Sequence, residues 1–159
     1  MTSSSTSITS TAIKTNSAFR MSCAVACTIH APAERVWKLL TDVAALPQWN
    51  STVTTLKGKV AIGETLELTV PIAPKRIFKP KVTKLEPHAL MEWSDGLAPM
   101  FKGVRTFRLV QKSDGITEFS MSEVFTGVML PMIKGSLPDF GPAFEAYAAD
   151  LKREAEKGT

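Results

Sequence analysis

The chain has 159 residues, enough for one domain with a substantial core. Hydrophobic residues make up 44% and charged residues 21%, and no run of about 18 apolar residues occurs, so nothing reads as a membrane span. The net charge is +4, of which Lys14 and Arg20 supply two, leaving 17 basic and 15 acidic residues in the remainder. That excess is too thin for the dense basic patch, interleaved with aromatics, that nucleic acid requires.

The first segment, MTSSSTSITSTAIKTNSAF, is rich in Ser and Thr and holds no acid. Without an apolar stretch it does not fit a secretory signal. Residues 1–21 are expected to stand outside the fold, as a disordered extension or an organelle transit peptide, with Met21 as a plausible start. The domain is expected over 22–159. A cytoplasmic location is expected, with an organelle as the alternative.

Residues 23–30, CAVACTIH, alternate as a strand, with Val25, Cys27 and Ile29 on one face. Cys23 and Cys27 lie about 13 Å apart in such a strand, too far for a disulfide. With no His or Cys partner nearby, no metal site is expected. APAERVWKLLTD then reads as a helix, with Val36, Trp37 and Leu40 on its buried side. LPQW (46–49) reads as a second short helical piece. Strands are expected at 52–58, 64–72, 76–86, 89–95, 101–112 and 116–127. Pro80 inside the fourth strand of the chain marks an edge or a bulge. The basic stretch PKRIFKPK (74–81) reads as exposed lysines on that edge strand, with a nuclear signal or nucleic-acid patch as the alternative.

The last third changes period. Gly135, Pro138, Gly141 and Pro142 interrupt a helical pattern, and from Pro142 onward Phe144, Tyr147, Ala148, Leu151 and Ala155 form one stripe. The Met-containing break at 128–142, including Met132 and Phe140, suits an adaptable gate.

The stretches APAERVWKLLTDVAALPQWN and FSMSEVFTG resemble the START-like (SRPBCC) superfamily, in particular its polyketide cyclase/dehydrase and lipid-transport members, over about residues 23–157. The resemblance implies an α+β helix-grip fold: a curved seven-stranded antiparallel sheet wrapped around a long C-terminal helix, with two short helices after strand 1 and an apolar cavity between. It implies no single activity. Where many such relatives carry His-x-Phe, this chain has Arg105-Thr106-Phe107, which removes His-based chemistry. His30 and His88 are both expected to be exposed.

One detail of the final hairpin concerns the cavity directly. Phe107, Leu109, Phe119, Met121 and Phe125 share a face with Arg105 and Glu123. A three-residue turn, Ser113-Asp114-Gly115, pairs Lys112 with Ile116 and therefore Arg105 with Glu123. A two-residue turn fails, because it reverses one strand's faces. The expectation is a cross-strand ion pair on the cavity wall, serving either the sheet alone or a ligand's polar group.

Expected cavity residues are Arg105, Glu123, Phe107, Met121, Phe125, Trp93, Met91, Met132, Phe140, Phe144 and Tyr147. The entrance is expected between the 95–101 loop, the helix break and the Pro71–Pro80 region. The expected function is binding or transport of a hydrophobic small molecule, lipid or polyketide-like, with no cofactor, no nucleic acid and no stable membrane insertion. A cyclase or dehydratase using Glu123 or Tyr147 for proton transfer is the alternative. A co-chaperone-like interaction module is the second.

Overall fold

In the computed structural model, residues 10–157 are described; the first nine residues of the expected leader lie outside them. The hairpin at the end of the strand region organises the rest. β7 (Phe101–Ser113) and β8 (Ile116–Thr126) pair antiparallel, with Leu109 opposite Phe119, Phe107 opposite Met121 and Arg105 opposite Glu123. The register matches the expectation, but the turn does not. Ser113 pairs with Ile116 across a two-residue Asp114-Gly115 turn, and an irregularity between Gln111 and Ser113 then shifts the register by one. The residue skipped there, Lys112, restores the facing that the tight turn alone would have reversed. Gly115 sits at φ +76°, the left-handed conformation such a turn needs.

The main sheet has six antiparallel strands in the order β1-β2-β8-β7-β6-β5, with β1 Ile13–Asn16, β2 Arg20–Ile29, β5 Lys81–Glu86 and β6 Leu90–Leu97. Two corrections follow. The sheet expected to have seven strands has six, and β3 (Thr55–Lys57) and β4 (Glu67–Thr69) form a separate pair. That pair joins the main sheet only through isolated bridges, Thr65 to Lys81 and Leu68 to Phe78. Pro80 explains the break: it lacks an amide donor, so the strand expected over 76–86 starts only at Lys81. The second correction concerns the leader. Residues 13–16 form an edge strand on β2, so part of the segment expected outside the fold belongs to the sheet.

Two short helices, α1 (Ala33–Thr41) and α2 (Leu46–Trp49), follow β2. Val36, Trp37 and Leu40 are buried as expected. After β8 come α3 (Leu130–Ile133), a single 3-10 turn at 134–136, and the long helix α4 (Gly141–Ala155). The expected stripe of α4, from Phe144 to Ala155, is buried against β2 and β8. Each large side chain such as Phe107, Phe119 and Phe144 contributes roughly 1.5–3 kcal/mol by leaving water.

Polar contacts fix the helix in place. Arg35 of α1 reaches the open carbonyls at the C-terminal end of α4, donating from Nε to Ala155 O at 2.6 Å and from Nη2 to Lys157 O at 2.8 Å. Asp150 is buried on α4 and accepts from the Ser51 amide (2.8 Å), the Ser51 hydroxyl (2.6 Å) and Arg153 Nη2 (2.7 Å). Burial opposes ionisation of Asp150, but these hydrogen bonds outweigh it and hold its pKa below the ordinary value.

Candidate functional site: a cavity between the sheet and the last helix

The alternation of β6, β7 and β8 sends one set of side chains toward α4, and the contents of that set change along the strands. At the hairpin end Leu109 and Phe119 are buried, followed by Phe107, Met121 and Met91. Phe119 stacks on Tyr147, and Trp93 meets Phe107 edge-on at 4.9 Å. Toward the opposite end the packing opens into a cavity of about 250 Å³.

Arg105, Glu123, Met121, Phe125, Trp93, Phe140, Phe144 and Tyr147 all line this space, as expected. Three expected residues do not. Phe107 and Met91 are packed beneath the floor, 1% and 0% exposed. Met132 points outward at 78% exposure, because the short helix α3 turns it away from the sheet. The lining includes residues from all three segments expected at the entrance: Asp95 to Phe101, Ser136 to Pro138, and Ile72 to Pro80.

Sequence reading missed Gly103, Phe101, Phe78 and Leu68, which also line the cavity. Gly103 carried a signal, since a glycine inside a strand marks close approach of another group. A Cβ there would meet the Phe125 ring at 3.1 and 3.2 Å. Without it, Phe125 stacks between Phe101 (5.7 Å) and Phe140 (5.5 Å).

Arg105 and Glu123 form the cavity's polar centre. Arg105 Nε donates to Glu123 Oε2 at 2.7 Å, and Nη2 reaches the same oxygen at 2.6 Å. Both side chains are largely buried, 16% and 15% exposed. The Arg105 guanidinium also lies 5.1 Å from the Phe144 ring centroid, a cation–π contact. Because both nitrogens converge on Oε2, Oε1 of Glu123 and Nη1 of Arg105 have no hydrogen-bond partner among the described residues.

The pair belongs to a row crossing five strands: Trp93 opposite Arg105, Arg105 opposite Glu123, Glu123 opposite Cys23, and Cys23 opposite Lys14. Trp93 has a buried indole N–H without a partner among the described residues. Burial raises the Tyr147 phenol well above its ordinary pKa, while the Arg105 charge pulls the other way, so the hydroxyl stays protonated at neutral pH. Burial also raises the Cys23 thiol, and it pushes Cys27 up to about 11, so neither is a thiolate nucleophile near neutrality. Both cysteines are free. His30 and His88 are exposed and do not line this cavity. Among the described residues no group of three His, Cys, Asp or Glu is placed to hold a metal ion.

The family model for polyketide cyclase / dehydrase and lipid transport proteins matches residues 20–157. The chain belongs to this family. Solved structures agree on the fold. Truncated norcoclaurine synthase from Thalictrum flavum superposes with a TM-score of 0.65 at 15% identity, covering 92% of this chain and 100% of that one. A START superfamily protein from Mycobacterium smegmatis gives 0.65 at 19% identity, covering 87% and 99%. The Zhui aromatase/cyclase from Streptomyces sp. R1128 gives 0.67 at 16% identity, covering 87% and 94%. No curated protein sequence gives a significant match. The family and fold support a hydrophobic-ligand binding or cyclase role.

Proposed function

We propose that this protein binds and carries a hydrophobic small molecule in the cavity, with Arg105 and Glu123 anchoring one polar group of the ligand. The observation that supports this is the one-sided geometry of the pair. An apolar space of about 250 Å³ suits a compact lipid or polyketide-like ring system rather than a long chain. At its wall, Arg105 Nη1 is an unused donor and Glu123 Oε1 an unused acceptor. A ligand hydroxyl satisfies both at once, accepting from the first and donating to the second.

One observation favours catalysis instead. Glu123 Oε1 is a carboxylate oxygen without a partner among the described residues, on a largely buried side chain, and Tyr147, whose phenol is kept protonated by burial, lines the same cavity. That is a base and an acid in one chamber, as a cyclisation with loss of water requires. Against it, Arg105 already engages Oε2 of the same carboxylate with two nitrogens, at 2.7 and 2.6 Å.

Native mass spectrometry of the purified protein, followed by solvent extraction, tests the reading. A retained small molecule that displaces an apolar fluorescent probe is expected. A protein that carries nothing and binds no such probe has no functional cavity. Conversion of the retained molecule, abolished by Glu123→Gln, would move the assignment to the cyclase.

A further inference from the structure

The cavity opens at one end of the sheet, and the surface around that opening is unlike the rest of the molecule. Four segments meet there. Residues 71–79 and 97–102 contribute Ile72 and Phe101 to the lining, and 127–138 contributes Leu137. Backbone hydrogen bonds tie 97–100 to 127–129, from Val128 N to Pro99 O (3.0 Å) and from Met129 N to Met100 O (2.9 Å). Gly127 N to Phe19 O (3.2 Å) brings in residues 17–20, and Lys134 Nζ donates to Ser17 O at 2.6 Å.

These segments hold seven of the ten large hydrophobic side chains that are exposed among the described residues. Met132 is 78%, Leu97 75% and Ile77 61% exposed; they lie on a single turn of helix, at the last residue of β6 and on a loop. Such a concentration of exposed apolar side chains in four neighbouring segments marks an interaction surface.

The charges are equally one-sided. The same segments carry Arg20, Lys75, Arg76, Lys79, Lys102 and Lys134; the acids next to them are Asp95, on the cavity lining, and Asp139, which is paired with Lys14. The remaining 13 cations face 15 acids elsewhere in the chain. The modest net charge therefore conceals a strongly basic end. The stretch 74–81, expected as an edge strand of alternating lysines, is mostly loop at this rim.

We infer that the rim of the cavity docks on an anionic lipid bilayer, with Ile77, Leu97 and Met132 entering the headgroup boundary and the six cations resting on the charged surface. The composition selects lipid over protein. Protein-binding surfaces concentrate Tyr, Trp and Arg and are poor in Lys. This rim has no Tyr or Trp, six of its seven exposed apolar residues are aliphatic or Met with Phe19 the one aromatic, and four of its six cations are Lys. Aliphatic tips between basic residues match a membrane interface. Docked this way, the opening faces the acyl region, so an apolar ligand enters without crossing water. The inference extends the cavity reading, and the two fail separately.

Flotation of the full chain with vesicles tests it, using phosphatidylcholine alone and phosphatidylcholine with phosphatidylserine. Binding to the anionic vesicles at low salt, reduced by added salt, is expected, with little binding to the neutral ones. Lys75→Glu/Lys79→Glu should weaken it at least about tenfold. Leu97→Ser/Met132→Ser should weaken it too, with the apolar probe still bound in solution. Lys38→Glu/Lys59→Glu, the same charge change far from the rim, should leave it intact. Absence of binding to anionic vesicles overturns the inference, as does an equal loss in the Lys38/Lys59 variant. Capture by an immobilised acidic protein without vesicle binding also overturns it, in favour of a protein partner. Vesicle binding in a protein that takes up no probe would instead defeat the cavity reading and leave the docking surface standing.

Discussion

β7 and β8 run through two unlike environments. Near the hairpin their inward side chains, Leu109, Phe119, Phe107 and Met121, leave almost no exposed area, and the rings of Phe107 and Phe119 pack on Tyr147 of α4. A few residues further along, the same alternation supplies Arg105, Glu123, Gly103 and Phe125, and the packing opens into a cavity. The backbone pairing is continuous across both halves. What changes is side-chain content. A charged pair demands satisfied partners rather than dense packing, a glycine withholds volume, and the helix opposite begins only at Gly141. One strand pattern thus builds a close-packed core and an open cavity side by side.

Substitutions break this contrast in order of size. Phe119→Ala, in the tight half, should cost about 3–5 kcal/mol, because neighbours held by the sheet cannot collapse into the void. Chemical denaturation measures it; a loss under about 1 kcal/mol would mean the hairpin end is not the close-packed half. Arg105→Met, at the wall of the open half, should cost roughly 3 kcal/mol, since Glu123 is left charged without its partner. The double variant Arg105→Met/Glu123→Leu should recover most of that loss. A double variant as unstable as the single one would mean that something other than the uncompensated carboxylate carries the cost.

Gly103→Ala sits at the boundary. Its Cβ meets the Phe125 ring at 3.1 Å, so the ring must shift into the cavity. A destabilisation of about 1–3 kcal/mol is expected, together with weaker binding of a bulky apolar probe. Probe binding unchanged would place the Phe125 ring outside the occupied volume.

The smallest expected effect is on pH dependence, through Asp150 on α4. Its folded pKa lies below the ordinary 3.8. Its stabilising contribution is therefore complete above that value and disappears as pH falls through the lower folded pKa. Thermal melts of the wild type and Asp150→Asn should differ at neutral pH and converge in acid. A gap that stays constant would assign Asp150 no titration-linked role.

The parity of the final hairpin was legible because period-two alternation leaves only two choices of facing. The register followed even though the turn was misjudged: a bulge at Lys112 does the work assigned to a third turn residue. The helix stripe on α4 and the buried face of α1 were legible for the same reason, as strong periodic patterns. Met91 and Phe107 show the limit. They share the inward face with Trp93 and Arg105, and alternation says which face a residue occupies but not how deep it lies. Met132 fell in a segment broken by Gly and Pro, where no period assigns a direction. The strand at 13–16 was hidden in a Ser/Thr-rich stretch whose composition resembles a leader. Only the 74–81 part of the basic rim was legible, because its other cations, Arg20, Lys102 and Lys134, lie in segments that only the fold brings together.

The account rests most heavily on Arg105 and Glu123 as a ligand anchor, and calorimetric titration with two matched ligands tests that directly. A naphthol and the methylnaphthalene of the same shape differ only in the hydroxyl. The wild type should prefer the naphthol by about tenfold or more, the worth of a hydrogen bond to a charged group. The double variant Arg105→Met/Glu123→Leu should bind both equally. The same preference in both proteins would contradict the claim and leave the pair a role in holding the sheet alone.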